Sequence, residues 1–155
     1  MKKSKIGTLW LAAALLGVAV AGLAGCAPVN GYPRMSAELS TPREAEDALP
    51  DSTADWGLDQ DSSRLVGTVD HVAYFVSTST DPDSDEESAC LILVNTDTSA
   101  AVVSNCSPSE DGMYLYGVGV GSARVSGDTA TYPESAGWVQ LGNLLLVKPN
   151  AAPSE

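Results

Sequence analysis

Histidine, cysteine and basic side chains are all scarce in this 155-residue chain, and each scarcity removes a class of chemistry. His71 is the only histidine. A histidine base needs a nucleophile and an orienting acid. Its neighbour Asp70 would point elsewhere if the two share a turn, so His71 reads as an exposed turn residue. The three cysteines, Cys26, Cys90 and Cys106, include no Cys-x-x-Cys pair of the redox or zinc type. The nucleophile elbow Gly-x-Ser-x-Gly is absent. Gly117-Val118-Gly119-Val120-Gly121 lacks the Gly-Lys-Ser/Thr and the helix pattern of a phosphate loop, and it reads as a glycine-faced strand. With no catalytic set visible, the expectation is a protein that is not an enzyme and carries no cofactor.

Lysine and arginine total 8 against 20 acids, a formal charge of −12. The bases are unevenly placed. Lys2, Lys3 and Lys5 open the chain, and every acid lies beyond residue 26. From Cys26 onward only Arg34, Arg43, Arg64, Arg124 and Lys148 oppose the 20 acids, a formal −15. Such a surface repels the phosphates of nucleic acids and anionic lipid headgroups, and keeps a domain soluble. No nucleic-acid partner is expected. A basic protein or a divalent cation would be attracted.

The three lysines precede an uncharged, mostly apolar stretch from Ile6 to Gly25 that ends in Leu23-Ala24-Gly25-Cys26. Positive charge, an apolar run and small residues before a cleavage slot form the export-signal pattern. Leu23-Ala24-Gly25-Cys26 resembles the lipobox of bacterial lipoproteins. The resemblance implies that signal peptidase II removes residues 1–25 and that the Cys26 thiol carries a diacylglycerol with palmitate-type acyl chains. The protein would then be anchored by lipid to the cell membrane on its extracytoplasmic side. The same apolar run is long enough to span a bilayer as a retained helix. The small residues near its end, the cysteine in the cleavage slot and the flexible-looking segment that follows favour cleavage.

With Cys26 assigned to lipid, Cys90 and Cys106 form an even pair in an oxidising compartment and are expected to be disulfide-bonded. Strand patterning agrees. A hairpin centred on Thr98 sets Cys90 opposite Cys106 and Val94 opposite Val102. The closed loop of about 15 residues contributes roughly 3 kcal/mol in the chain-entropy model.

Residues 26–63 read as a lipid-anchored tether. Within them Thr41, Pro42 and Glu44 have the order of a cap, a first-turn proline and a capping box, so a short helix is expected over 42–49, stopped by Pro50. Strands are expected from Arg64. A two-residue turn at Asp70-His71 would pair Val69 with Val72 and Val66 with Phe75. Tyr114, Tyr116, Val118 and Val120 alternate with Leu115 and three glycines. Turns are expected at Gly127-Asp128, between Val125 and Ala130, and at Gly142-Asn143, joining Trp138–Leu141 to Leu144–Val147. The expected fold is all-β, a small antiparallel meander over 64–148 closed as a barrel or folded as a sandwich, with a tail at 149–155.

Three features remain as candidate sites. Asp81, Asp83 and Asp85 share the opening spacing of a calcium loop, but Glu86 and Ile92 stand where that loop needs glycine and a bidentate glutamate, so at most a weak ion site is expected. Tyr114, Tyr116, Tyr132 and Trp138 are expected mainly in the core, with an interface as the other use of such residues. Gly121-Ser122-Ala123-Arg124 is similar to a motif of small acidic β-barrel lipoproteins that block basic lysozyme. The Arg64-Leu65-Val66-Gly67 opening and the Cys-paired hairpin resemble small uncharacterised actinobacterial exported proteins, a resemblance that implies no activity. The functional expectation is a tethered domain that binds another envelope or extracellular component, such as an envelope protein. The alternatives are an inhibitor of a basic hydrolase such as lysozyme and a weak Ca²⁺-dependent adhesion module.

Overall fold

A computed structural model describes residues 31–98, 102–126 and 137–149. Eight strands form two four-stranded antiparallel sheets that pack as a sandwich rather than closing into a barrel. The first sheet is a true meander: β1 (Leu58–Val69), β2 (Val72–Thr80), β3 (Glu87–Asn95) and β4 (Val102–Ser107) lie side by side in chain order. The second contains β5 (Tyr114–Gly117), β6 (Gly121–Val125), β7 (Val139–Leu141) and β8 (Leu145–Lys148). Its order is β5-β6-β8-β7, so the meander expectation fails there: β8 inserts beside β6, and β7 is left at the edge. The expected Gly127-Asp128 turn lies outside the described residues.

β2 and β3 are apolar on both faces because both faces are covered. Val72, Tyr74, Val76, Leu91 and Leu93 point toward the second sheet and meet Leu115, Ala123, Leu145 and Val147. Phe75, Cys90 and Ile92 point the other way and are covered by Leu49, Leu58 and Leu65. Burial pushes the Tyr74 hydroxyl up to about 12, with the nearby Asp70 charge adding to the effect. The cystine joins Cys90 to Cys106 at directly paired positions, and Val94 faces Val102, as the hairpin register requires.

The segment before the sandwich is not a tether over most of its length. Its helix, α1, spans Pro33–Leu39 rather than 42–49. Thr41 does not cap a following helix, because its hydroxyl donates to the Glu38 carbonyl at the end of α1. The capping pattern shifts three residues on. Glu44 N–H donates to Asp47 Oδ2 at 2.7 Å and opens a single 3-10 turn at Ala45–Asp47. At seven residues, α1 is too short to persist alone. It is held from outside. Glu110 is 3% exposed, and its carboxylate accepts the Arg34 N–H at 3.0 Å and the Met35 N–H at 3.0 Å. The Arg34 guanidinium closes on the same carboxylate at 3.3 Å. Met35 is thereby sunk fully into the intersheet core. Gly31 pairs with Ser109 just before the helix, and a Cβ at Gly31 would stand 2.2 Å from the Pro108 carbonyl oxygen.

β1 starts at Leu58, six residues before its expected start, and it is interrupted. Asp59 pairs with Thr78 but Arg64 pairs with Val76, so residues 60–63 swell out of the ladder. Hydroxyls hold that excursion: Thr78 N–H donates to Ser62 Oγ and Ser77 Oγ–H donates to the Asp59 carbonyl. A second irregularity lies between Leu65 and Gly67, so Phe75 faces Leu65 and not Val66 as expected, while Val69 faces Val72 as expected. The Gly142 turn also differs by one residue. Leu141 pairs with Leu145, which makes a three-residue loop and leaves Leu144 buried.

Asp47 ties the N-terminal segment to β1. Its carboxylate accepts the Leu65 N–H and the Glu44 N–H at 2.7 Å each, and its carbonyl accepts the Ser63 hydroxyl. Burial alone would raise its pKa. The two N–H donors, with Arg64 and Arg43 nearby, outweigh that and hold the carboxyl below its ordinary value. A depressed folded-state pKa contributes stability that is present above the unfolded-state pKa, near 4, and is lost as pH falls through the folded value. Denaturant melts should therefore show stability falling below about pH 4, with the Asp47→Asn chain less stable by about 1–3 kcal/mol at pH 7 and less sensitive to acid. An acid limb identical in the two chains would remove Asp47 as its source. Glu110→Ala leaves the buried N–H groups of α1 without an acceptor and should cost about 1–3 kcal/mol. An unchanged urea midpoint would mean that α1 is held in some other way.

Candidate functional site

Leu23, Ala24, Gly25 and Cys26 lie outside the described residues, as does Tyr132. Among the described residues no helix is long and apolar enough to cross a membrane.

Asp81, Asp83 and Asp85, the weak ion-site candidates, lie in the loop between β2 and β3. Asp81 Oδ1 accepts the N–H groups of Asp83 and Ser84 at 2.8 and 3.1 Å, and these bonds hold its carboxyl below the usual range. Asp85 takes a positive φ of 56° and donates its N–H to the Asp81 carbonyl. The loop is thus closed by its own backbone. Among the described residues no three His, Cys, Asp or Glu side chains come together as a metal group.

His71 is half-buried rather than exposed. Its Nε2 lies 3.3 Å from the Gly119 carbonyl oxygen, which also accepts from Asn95 Nδ2 at 3.3 Å. The β5–β6 turn is thereby bound to the tip of the first sheet. Asp70 has a φ of 53° and turns the chain. The pair serves the turn contact, and His71 meets a carbonyl rather than a nucleophile.

The tyrosines depart most from expectation. Tyr114 and Tyr116 are 50% and 57% exposed, while Leu115 and Gly117 face inward. The cause is steric. Where β4 and β5 approach, a Cβ on Gly117 would stand 2.8 Å from the Val103 methyls and 2.7 Å from Val120. The bare face must turn in, and the period-two alternation then sends the bulky face out. The strand also ends sooner than expected, at Gly117, and Val118 is 84% exposed at the following turn. Trp138 is half-buried at the entry to β7.

The outer face of the second sheet can be read from its register. Tyr114 stands beside Arg124, then Leu146, then Gln140, and Tyr116 stands beside Ser122 and then Lys148. The Tyr114 hydroxyl is hydrogen-bonded to Ser122 Oγ at 3.1 Å, so the ring leans across the neighbouring strand. The two rings repeat roughly 7 Å apart along the strand. A hollow of about 260 Å³ opens beside Tyr114 and Arg124, floored by Gly112 and Met113. The Tyr114 carbonyl, at the sheet edge, is taken by Asn105 Nδ2. Within residues 114–126 and 137–149 there is no aspartate or glutamate. Ser122 and Arg124 of the Gly121-Ser122-Ala123-Arg124 tetrapeptide stand in mid-strand on β6, with Ser122 buried.

Because Tyr116 is more than half exposed, Tyr116→Ser should change folding stability by less than about 0.5 kcal/mol in a urea titration. A loss above 2 kcal/mol, the range of core truncation, would mean that the ring is packed and not presented. No family model, no curated protein and no solved structure matches this chain.

Proposed function

We propose that this protein is a non-enzymatic lipoprotein, held on the extracytoplasmic side of the cell membrane by lipid on Cys26, whose second sheet binds another component of the envelope or its surroundings. One observation carries the binding reading: Tyr114 and Tyr116 lie exposed beside Arg124 and Lys148 on a face whose described residues include no acid. Aromatic and arginine side chains are the residue types that most often dominate binding energy. Packing at Gly117 decides which face of β5 turns outward, but the fold does not require that the outward positions be tyrosines, since polar side chains would serve a solvated face as well. The anchoring reading rests on the Leu23-Ala24-Gly25-Cys26 pattern and its basic, apolar approach. The cystine between β3 and β4 suits the same compartment.

The anchoring is tested by the mass of the N-terminal peptide from native membranes. It should begin at Cys26 and carry a diacylglycerol-sized increase, and Cys26→Ala should be released or accumulate uncleaved. An unmodified Cys26 in the membrane fraction would overturn it. Binding is tested by crosslinked co-purification of the full lipidated protein beside its Tyr114→Ser, Tyr116→Ser double variant. A component captured by the first and lost with the second is the expected result. Equal capture by both would remove the tyrosine face as the site.

A further inference from the structure

Resting on the reading of Cys26 as the lipid anchor and of the tyrosine face as a binding site, we infer that the partner of that face is the surface of the membrane that carries the protein. The sandwich lies on it along Tyr114, Tyr116 and Val118. The chain leaves little slack for any other arrangement. Only Ala27, Pro28, Val29 and Asn30 separate Cys26 from Gly31. Gly31 is already paired with Ser109, and its carbonyl accepts the Glu110 N–H at 2.9 Å. The links from Cys26 to Gly31 reach at most about 17 Å, so the fold begins within that distance of the lipid. Ser109 leads through a short connection into β5, and the line of Tyr114, Tyr116 and Val118 runs outward from this point of attachment.

The other sides near the anchor are unsuited to lipid. Glu87 accepts the Tyr32 hydroxyl beside Gly31, which places the β2–β3 loop at the attached end, with Asp81, Asp83, Asp85 and Glu86 exposed on it. The outer cover of the first sheet exposes Asp51, Asp55, Asp59 and Asp61 around Trp56. Either side would press ionised carboxylates into the headgroups, where they lose water and repel anionic lipid. β5 and the turn after it present the opposite chemistry. Tyr114 is 50%, Tyr116 57% and Val118 84% exposed, all within one five-residue stretch. Tyrosine joins an apolar ring to a polar hydroxyl and is enriched where membrane meets water. Such a contact needs no ion pair. It therefore does not draw on Arg124, nor does it depend on Asp128 and Glu134, which lie outside the described residues. A contact of this size would be weak for a free protein. The short leash offsets that weakness, because it holds the face near lipid at an effective concentration of about millimolar.

The test places the full lipidated protein on phosphatidylcholine vesicles, sparsely enough that copies do not meet. A membrane-impermeant sulfonated diazonium reagent then modifies accessible tyrosines, read by peptide mass. A second form carries about twenty Gly-Ser residues between Val29 and Asn30, which lowers the effective concentration about tenfold and should speed modification of Tyr116 by up to that factor. Val118→Asn should speed it as well, with an unchanged Tm. A photoactivatable phosphatidylcholine should form adducts in the peptide spanning 114–118 and not in that spanning 51–61. The reverse adduct pattern, or equal modification with both leash lengths, would overturn the inference. Equal modification, with a protein or glycan still captured from native membranes in a tyrosine-dependent way, would remove lipid as the partner and leave the binding reading standing. Equal modification here and equal capture there would remove both.

Discussion

The constraint on which this fold turns is that β2 and β3 have no solvated face. Their sequences, Val72–Val76 and Ala89–Val94, are continuous apolar runs, and an antiparallel sheet with such central strands must be covered twice. The second sheet and α1 cover one side. The chain from Leu49 to Leu65 covers the other. Neither cover is self-sufficient: α1 has seven residues, and the outer cover consists of short turns and an interrupted strand. Each is therefore fixed by a buried carboxylate reaching backbone N–H groups, Glu110 for α1 and Asp47 for the outer segment. Paired with several donors, these acids are bound into the fold, whereas an unpaired buried charge would destabilise it.

That division of labour also explains the charge pattern. Two acids are internal, and the other described acids are solvated on the first sheet, its loops, the N-terminal wrap and, at Asp111, the connection to β5. The described residues of the second sheet include none. Its inner face fills the core, and its edge toward β4 is closed by Asn105. What remains is an outer face whose composition neither core packing nor solubility dictates, and it is there that two tyrosines and two of the five bases of residues 26–155 lie.

Where pairing is set by local turn chemistry, the residues announced it. The Asp70 turn, the hairpin around Thr98 and the cystine it aligns follow from alternation and short loops. Where an element depends on a distant partner, they did not. The cap of α1 comes from Glu110, 75 residues beyond Met35, so nothing near Pro33 marks the helix except the proline itself and the spacing of Tyr32, Met35 and Leu39. Thr41 carried a start signal that its bond to Glu38 turned into a stop. β8 rather than β7 pairs with β6, a choice that short-range patterning does not encode.

The tyrosine face shows the same limit at the level of function. Alternation along β5 divides its residues into two sets but does not say which set faces the core. Hydrophobicity favours burying Tyr114 and Tyr116. The approach of β4 decides the other way, because Val103 occupies the space a side chain at position 117 would need. Glycine at 117 therefore serves close sheet packing, and the exposure of the rings follows from that packing. A larger residue there would meet Val103 and push β5 outward, disturbing the tyrosine face through the core behind it. The surface chemistry of the second sheet and the fit between the two sheets are in this way one constraint, centred on Gly117.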